Sequence, residues 1–441
     1  MAIPHPPRQA SPSTTSRRHR PGRAGATLAA TTGLLLLSAL AGCTPGNGRL
    51  EGGLHTIVYV AIGVERAPDL ASELERQKQL RERFSHLQRS FREVRPGVHL
   101  EVLVFDRDRF VEEIRRRTHS GLGPDLMLVD GLTAETLHQN QLVTAIAVPN
   151  PSSELVRTEL IPYVRSAPHQ WFGLPVGQEP QLACFDRRRM AQAPETLSAL
   201  MEASSRGQSI GLTLDLGNLA WTMGSLGALE SIAQVRRGAA ATPERIQAIQ
   251  NWLGWLRNAD LQQRISFAGS QGELVEGLRT GRFDWIHCRS QDASLLRKEL
   301  GSHLALAPLP SGPGGAASPI STVRMWTFGR NSSPRQRNVA KALARFTLNP
   351  PVQRAFTIQT QGLLPVSRGA TLPVASSANL AALLAAQRQA SEAQNLTEEL
   401  IALRTEKNAL NKILTQFRYG ELDSASATDA LIKILRQKPH E

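Results

Sequence analysis

The sequence is poor in aromatic residues, which make up 5% of its 441 positions, with three Tyr, six Trp and 12 Phe. Three tyrosines argue against a tyrosine-rich ferric-ion site, and so few rings make the position of each tryptophan informative. Cysteine is equally scarce, at three. There is no Cys-x-x-Cys pair and no His-Glu-x-x-His helix, so no metal site is announced. Gly-x-Ser-x-Gly and Walker-type loops are also missing. His55, His86, His99 and His119 fall on a strand and on helix faces, away from any evident nucleophile. The reading is of a protein that is not an enzyme and needs neither metal nor cofactor. Acidic residues are absent from 1–42, which carry Arg8, Arg17, Arg18, Arg20 and Arg23. Without that segment the formal charge of +13 falls to about +8. The remaining basicity is scattered, and runs such as Arg115-Arg116-Arg117 and Arg187-Arg188-Arg189 read as solvated helix faces, which argues against a nucleic-acid partner.

What the N-terminus does contain is an apolar run, 24–41, that closes in Leu40-Ala41-Gly42-Cys43. Its length is borderline for crossing a bilayer. The basic flank and small-residue exit favour a cleaved signal over an uncleaved anchor helix. The stretch resembles a bacterial lipoprotein signal peptide, whose lipobox ends in the cysteine that is acylated. That resemblance implies a signal peptide over 1–42, lipidation at Cys43, and a mature chain held at the membrane in the periplasm or on the extracytoplasmic face. One acyl chain holds only marginally, at about 0.8 kcal/mol per buried CH2, so stable anchoring takes more than one. Residues 43–53 are small, polar and glycine-rich, and read as a flexible tether. With Cys43 acylated, Cys184 and Cys288 remain. An oxidising compartment permits them to pair, spacing leaves the pairing open, and two buried thiols are the preferred expectation.

The chain beyond the tether is too long for one core, so two lobes are expected. A strand is read over 54–62. A helix follows over about 69–94, with an apolar stripe of Leu70, Leu74, Leu80, Phe84, Leu87 and Phe91 and dense charge outside. Arg95-Pro96-Gly97 stops it. A strand over 98–104, a helix over 108–118, the turn Gly121-Leu122-Gly123-Pro124 and a strand over 125–130 complete a strand–helix–strand–helix–strand run. That layout is an α/β class with a parallel sheet, on which ligands bind beyond the carboxyl ends of the strands.

Several short motifs follow one another along the chain. They include Phe91-Arg92-Glu93-Val94-Arg95-Pro96-Gly97-Val98, Ser120-Gly121-Leu122-Gly123-Pro124-Asp125-Leu126, Gln141-Leu142-Val143-Thr144-Ala145-Ile146 and Phe172-Gly173-Leu174-Pro175. Downstream come Leu182-Ala183-Cys184-Phe185-Asp186, Ala193-Pro194-Glu195-Thr196-Leu197, Gly362-Leu363-Leu364-Pro365-Val366 and the segment from Tyr419-Gly420 to Ala430-Leu431. In that order they resemble the extracellular solute-binding proteins of ABC importers, in particular the sugar-binding family related to maltose-binding protein. Cys184, Phe185 and Leu197 depart from the family's usual residues and mark a divergent branch. The resemblance implies a two-lobe periplasmic-binding-protein fold with discontinuous lobes and an interlobe cleft. Lobe I would take 54–181, the hinge and lobe II 182–319, the return hinge and the rest of lobe I 320–375, and C-terminal helices packing on lobe II 376–441. It also implies a monomer that captures a small solute, a mono- or oligosaccharide, and delivers it to an ABC permease in the membrane.

A sugar cleft needs rings as platforms and polar groups that bond hydroxyls in place of water. The candidate rings are Trp171, Trp221, Trp285 and Trp326, each of which could equally be core. Trp252 and Trp255 read as core of the second lobe. The candidate polar groups stand at strand ends: Glu65, Arg66, Asp130, Gln178, Glu179, Arg289 and Arg324. Asp130 could instead cap the helix that follows, and the two arginines could form interlobe salt bridges. An arginine that bonds sugar hydroxyls also suits a carboxylate or phosphate. Two alternatives share the same residues: a solute sensor signalling to a membrane partner, and an envelope lipoprotein that makes protein contacts through its C-terminal helix. That helix carries Leu396, Leu400, Leu403, Lys407, Leu410, Leu414 and Phe417 at heptad spacing. Two ordinary helices packed on lobe II are preferred over one that protrudes to pair with another chain.

Overall fold

The computed structural model describes residues 55–64, 70–147, 152–360, 362–393 and 406–437. Cys43, the apolar run before it, the tether, Glu65, Arg66, and Leu396, Leu400 and Leu403 of the heptad stripe lie outside the described residues.

In chain order the strands are β1 Thr56–Val64, β2 Val98–Asp106, β3 Leu126–Asp130, β4 Val143–Thr144, β5 Ile146–Ala147, β6 Arg165–Ala167, β7 Gln170–Trp171, β8 Leu174–Asp186, β9 Ile210–Thr213, β10 Ile265–Ala268, β11 Trp285–Arg289, β12 Leu304–Ala307 and β13 Ser321–Gly329. Helix Leu70–Val94 joins β1 to β2, and helix Phe110–His119 leads from β2 toward β3. The first of these helices stops where the sequence supplies a proline and then Gly97 at φ 81°, a left-handed conformation that glycine adopts without a Cβ clash. Both β2 and β3 pair parallel with β1, as the strand–helix–strand order requires.

Two long strands connect this half to the other. Residues 174–180 of β8 pair antiparallel with β13, and residues 181–186 pair with β11 and β12. Strand β13 returns the chain to β3. The order across the sheet is therefore β10-β9-β11-β8-β13-β3-β1-β2, with β12 also on β8 and β4 also on β13. Where the two long strands cross, the Gln181 amide donates to Ile320 O at 2.9 Å, and the Ile320 amide donates to Gln181 Oε1 at 3.1 Å.

Each half buries its own apolar residues. One core gathers Val60, Ile62, Phe84, Met127, Trp326 and Phe328. The other half has clusters on both faces of its strands, one around Leu182, Leu274 and Ile286 and one around Leu200, Trp221 and Trp285. A further cluster joins helices Lys407–Arg418 and Ser424–Leu435 to helix Pro243–Asp260, through Leu414, Phe417, Leu431 and Trp252. Leu410, Leu414 and Phe417 are buried in this core. The Arg257 guanidinium lies 4.2 Å from the Phe417 ring centroid.

One expectation is corrected. Cys184 and Cys288 are not two buried thiols: they form a disulfide, with Cα atoms 5.8 Å apart. In the β8–β11 ladder Cys184 stands opposite Ile286 and Cys288 opposite Leu182. The cysteines are thus diagonal neighbours on one face, a proximity set by register between strands 104 residues apart.

The helix Pro334–Phe346 is fixed at its start by a capping box: the Gln336 amide donates to Ser333 Oγ at 3.3 Å, and the Ser333 amide donates to Gln336 Oε1 at 3.2 Å. Gln336 Nε2 also donates to Ile57 O at 3.2 Å and Asp125 Oδ2 at 3.1 Å, tying the helix to β1. Burial pushes the Asp125 carboxyl upward, and the hydrogen bond from the Tyr59 amide opposes that shift. Ser333→Ala is expected to lose about 1 kcal/mol of stability, read as a shift in the urea unfolding midpoint at unchanged slope. An unchanged midpoint would show that the box does not hold the helix.

Candidate functional site

Beyond the carboxyl end of β1, at Ile62 and Val64, the two halves enclose a cavity of ≈ 190 Å³. The first lobe contributes Leu80, Arg83 and Phe84 from helix Leu70–Val94, and Arg324 and Trp326 from β13. The second lobe contributes Gln271 from the start of helix Gln271–Arg279, and Gln291, Asp292 and Leu295. Val176 and Glu179 of the crossing strand β8 and Phe356 of helix Pro350–Thr360 form the remaining wall. Ser270 caps the second-lobe helix by accepting from the Glu273 amide, and Gln271 Nε2 donates to His287 O at 3.2 Å. Ser290 donates its hydroxyl to Gly362 O, joining the second lobe to the returning chain.

Charge in the cavity is concentrated near the crossing strands. Arg324 Nε lies 4.0 Å from Glu179 Oε2, with both side chains nearly sealed from water, and Arg324 Nη2 donates to Leu128 O at 3.3 Å. Arg83 is half-buried beside them. Burial lowers the Arg83 guanidinium, and Glu179 and Asp292 act in the opposite direction. Asp292 accepts from the Arg289 amide at 3.2 Å. Among the described residues no group of three or more His, Cys, Asp or Glu could hold a metal ion.

Of the residues singled out from sequence, Glu179, Arg324 and Trp326 line this cavity. Trp326 shows little of its ring there: it is 1% exposed, stands edge-on to Phe84 and donates from Nε1 to Thr347 Oγ1 at 3.1 Å. Asp130 caps helix Gly131–Gln139 by accepting from the Thr133 amide at 2.8 Å, and is not part of the cavity wall. Gln178 exchanges backbone hydrogen bonds with Leu364, both 2.9 Å. Arg289 donates to Asn218 Oδ1 at 3.2 Å. Neither Gln178 nor Arg289 lines the cavity. Trp171 belongs to the first-lobe core. Trp221 and Trp285 are both 0% exposed, with ring centroids 6.4 Å apart inside the second lobe. Trp221 sits on a helix buried nearly all round, and Trp285 opens a strand held between β8 and β9, so both are enclosed on every side.

Sequence reading missed Arg83, Gln271, Asp292 and Phe356. Arg83 had a signal. It lies three residues after Leu80 and four before Leu87, so it shares the face of the apolar stripe and not the charged outer one. Gln271 and Asp292 reach the cavity only through the docking of the second lobe, which no local pattern encodes.

A family description, bacterial extracellular solute-binding protein, matches residues 89–384. No curated protein matches the sequence. Among solved structures, the chain is similar to maltose-bound MalE3 of T. maritima, with 14% identity, TM-score 0.63, and coverage of 86% of this chain and 98% of that one. It is similar to a Thermotoga lettingae ABC-transporter solute-binding protein bound with α-D-tagatose, with 14% identity, TM-score 0.61, and coverage of 86% and 100%. It is also similar to the GacH receptor of Streptomyces glaucescens, solved unliganded and with acarbose, with 13% identity, TM-score 0.63, and coverage of 86% and 98%. At these identities the likeness establishes the fold: an α/β protein of two discontinuous lobes with a cleft between them.

Proposed function

The chain belongs to the bacterial extracellular solute-binding protein family, and from that premise we propose that it captures a small organic solute between its lobes and passes it to the permease of an ABC importer. The observation that carries this reading is the composition of the cavity wall: Arg83 and Arg324 come from one lobe, Gln271 and Asp292 from the other, and Glu179 from the strand crossing between them. A solute that bonds to both lobes stabilises the form in which they are closed, and no covalent chemistry is required. Membership of an extracellular family implies an extracytoplasmic location. Anchoring through a lipid on Cys43 belongs to the same proposal, supported by the basic N-terminus and the small residues before that cysteine. Among the described residues no helix is long and apolar enough to cross a membrane.

Carbohydrate is the first class to test, because the structures named above hold maltose, tagatose and acarbose. In a thermal-unfolding screen of mono- and oligosaccharides, sugar acids, amino acids and other small carboxylates, the true solute at 100 times its dissociation constant should add about 2.7 kcal/mol of stability. A folded chain that responds to no member of a broad library would contradict solute capture.

A further inference from the structure

Among the described residues, five charged side chains line the cavity: Arg83, Arg107 and Arg324 against Glu179 and Asp292. Arg324 is engaged by Glu179 and Leu128 O, and Asp292 by the Arg289 amide. Arg107 has an interaction of its own. Arg83 differs. Among the described residues its guanidinium has no hydrogen-bond acceptor and no carboxylate within ion-pairing distance, and Glu179 and Asp292 reach it only through space. A half-buried guanidinium with its donors unused is unfavourable by itself, because burial removes water that nothing replaces. Its planar fork suits a carboxylate, which accepts two parallel N–H bonds.

The charge count narrows the partner further. Among the described residues, three guanidiniums against two carboxylates leave one positive charge on the wall, which a monoanion balances. A phosphate dianion would exceed it and would face Glu179 and Asp292. Much of the remaining wall is apolar, including Leu80, Phe84, Val275, Leu295, Phe356 and Leu363. Trp326 offers no open face, and the cavity of ≈ 190 Å³ is below the roughly 300–1,000 Å³ of ordinary small-molecule sites.

We propose that the solute taken by this cleft is a small monocarboxylate, with Arg83 as the residue that binds its carboxylate. The proposal rests on the reading that solute binds between the lobes, and it names the chemical group by which that solute is recognised. The body attached to the carboxylate is either an alkyl or aryl group, which the apolar wall suits, or a compact sugar ring.

The test uses the purified full chain, with binding followed by calorimetry and thermal unfolding. The probes are 3-methylbutanoate, phenylacetate and glucuronate, with maltose and tagatose as neutral controls. At least one carboxylate is expected to bind, more tightly than either neutral sugar. Glucuronate in preference to the other two acids assigns a sugar body, and the reverse assigns an apolar one. Arg83→Gln should weaken the binding by about 10- to 100-fold, the loss of a hydrogen bond to a charged group, and Arg83→Lys should recover part of it. Without ligand, Arg83→Gln should melt no lower than the unchanged chain, since it removes an unpaired buried charge; that measurement separates lost binding from lost folding. Neutral sugars binding equally to the unchanged chain and to Arg83→Gln would overturn the carboxylate while leaving solute capture intact. A folded chain that binds none of these acids, but binds another class of solute in the same cleft, would overturn it as well.

Discussion

Reducing the Cys184–Cys288 disulfide will lower the free energy of unfolding by about 2–5 kcal/mol. The bridge closes a loop between residues separated by 104 positions. In the chain-entropy account, a loop of roughly 100 residues restricts the unfolded ensemble by about 4.7 kcal/mol, and removing native bridges gives losses of the same order. The bridge joins β8, which carries the chain between lobes, to β11, in a core with Leu182, Leu274 and Ile286. Urea unfolding with and without reductant measures the effect, and the double substitution Cys184→Ala with Cys288→Ala supplies the control. Reductant should shift the unchanged chain to a lower midpoint and leave the double variant where it is. An unchanged midpoint, with both thiols shown by titration to be free, would contradict the prediction.

Acidification will destabilise the fold through His287. This side chain is fully buried, and its Nε2 accepts a hydrogen bond from the Thr213 amide at 3.1 Å, a bond that only the neutral ring can make. Desolvation, helped by the nearby positive charge of Arg289 and opposed by Asp215, lowers its pKa to about 3. The unfolded residue titrates near 6.5. Between these two values the unfolded chain binds a proton that the folded chain refuses. Stability from this group is complete above about pH 6.5 and is lost as pH falls toward 3, at about 1.4 kcal/mol per unit. From pH 6.5 to pH 4 the loss amounts to about 3 kcal/mol. His287→Gln retains an acceptor for the Thr213 amide without a titrating ring. The difference in stability between the unchanged chain and this variant should therefore slope with pH over that window, and a difference independent of pH would refute the mechanism.

The parts of the fold that could be read in the sequence are those coded over short stretches. Leu80, Phe84 and Phe91 recur at helical spacing, Arg95-Pro96-Gly97 supplies a stop, and β1, β2 and β3 follow from apolar runs separated by two helices. The cavity was legible where it depends on position along a crossing strand, as for Glu179 and Arg324. It was not legible where it depends on how layers are stacked. Trp221 lies on the uncharged helix Leu216–Ser225, whose all-round apolar character is a local sign of burial, whereas Trp285, at the first position of β11, is enclosed by its pairing with β8 and β9, which a single strand does not encode. Arg83 is legible in part: its spacing from Leu80 and Leu87 puts it on the apolar face of its helix, while its neighbours Arg81 and Glu82 are exposed, but the second-lobe wall of the cavity comes from residues about 200 positions later. The cysteine pairing failed for the same reason: a register between distant strands is a property of the assembled sheet.

The most direct test is a crystal structure of the chain with a solute that raises its melting temperature. Density for that solute is expected in the interlobe cavity, with bonds to Arg83 or Arg324 on one side and to Gln271, Gln291 or Asp292 on the other. A solute bound elsewhere, touching one lobe and leaving this cavity empty, would contradict that expectation.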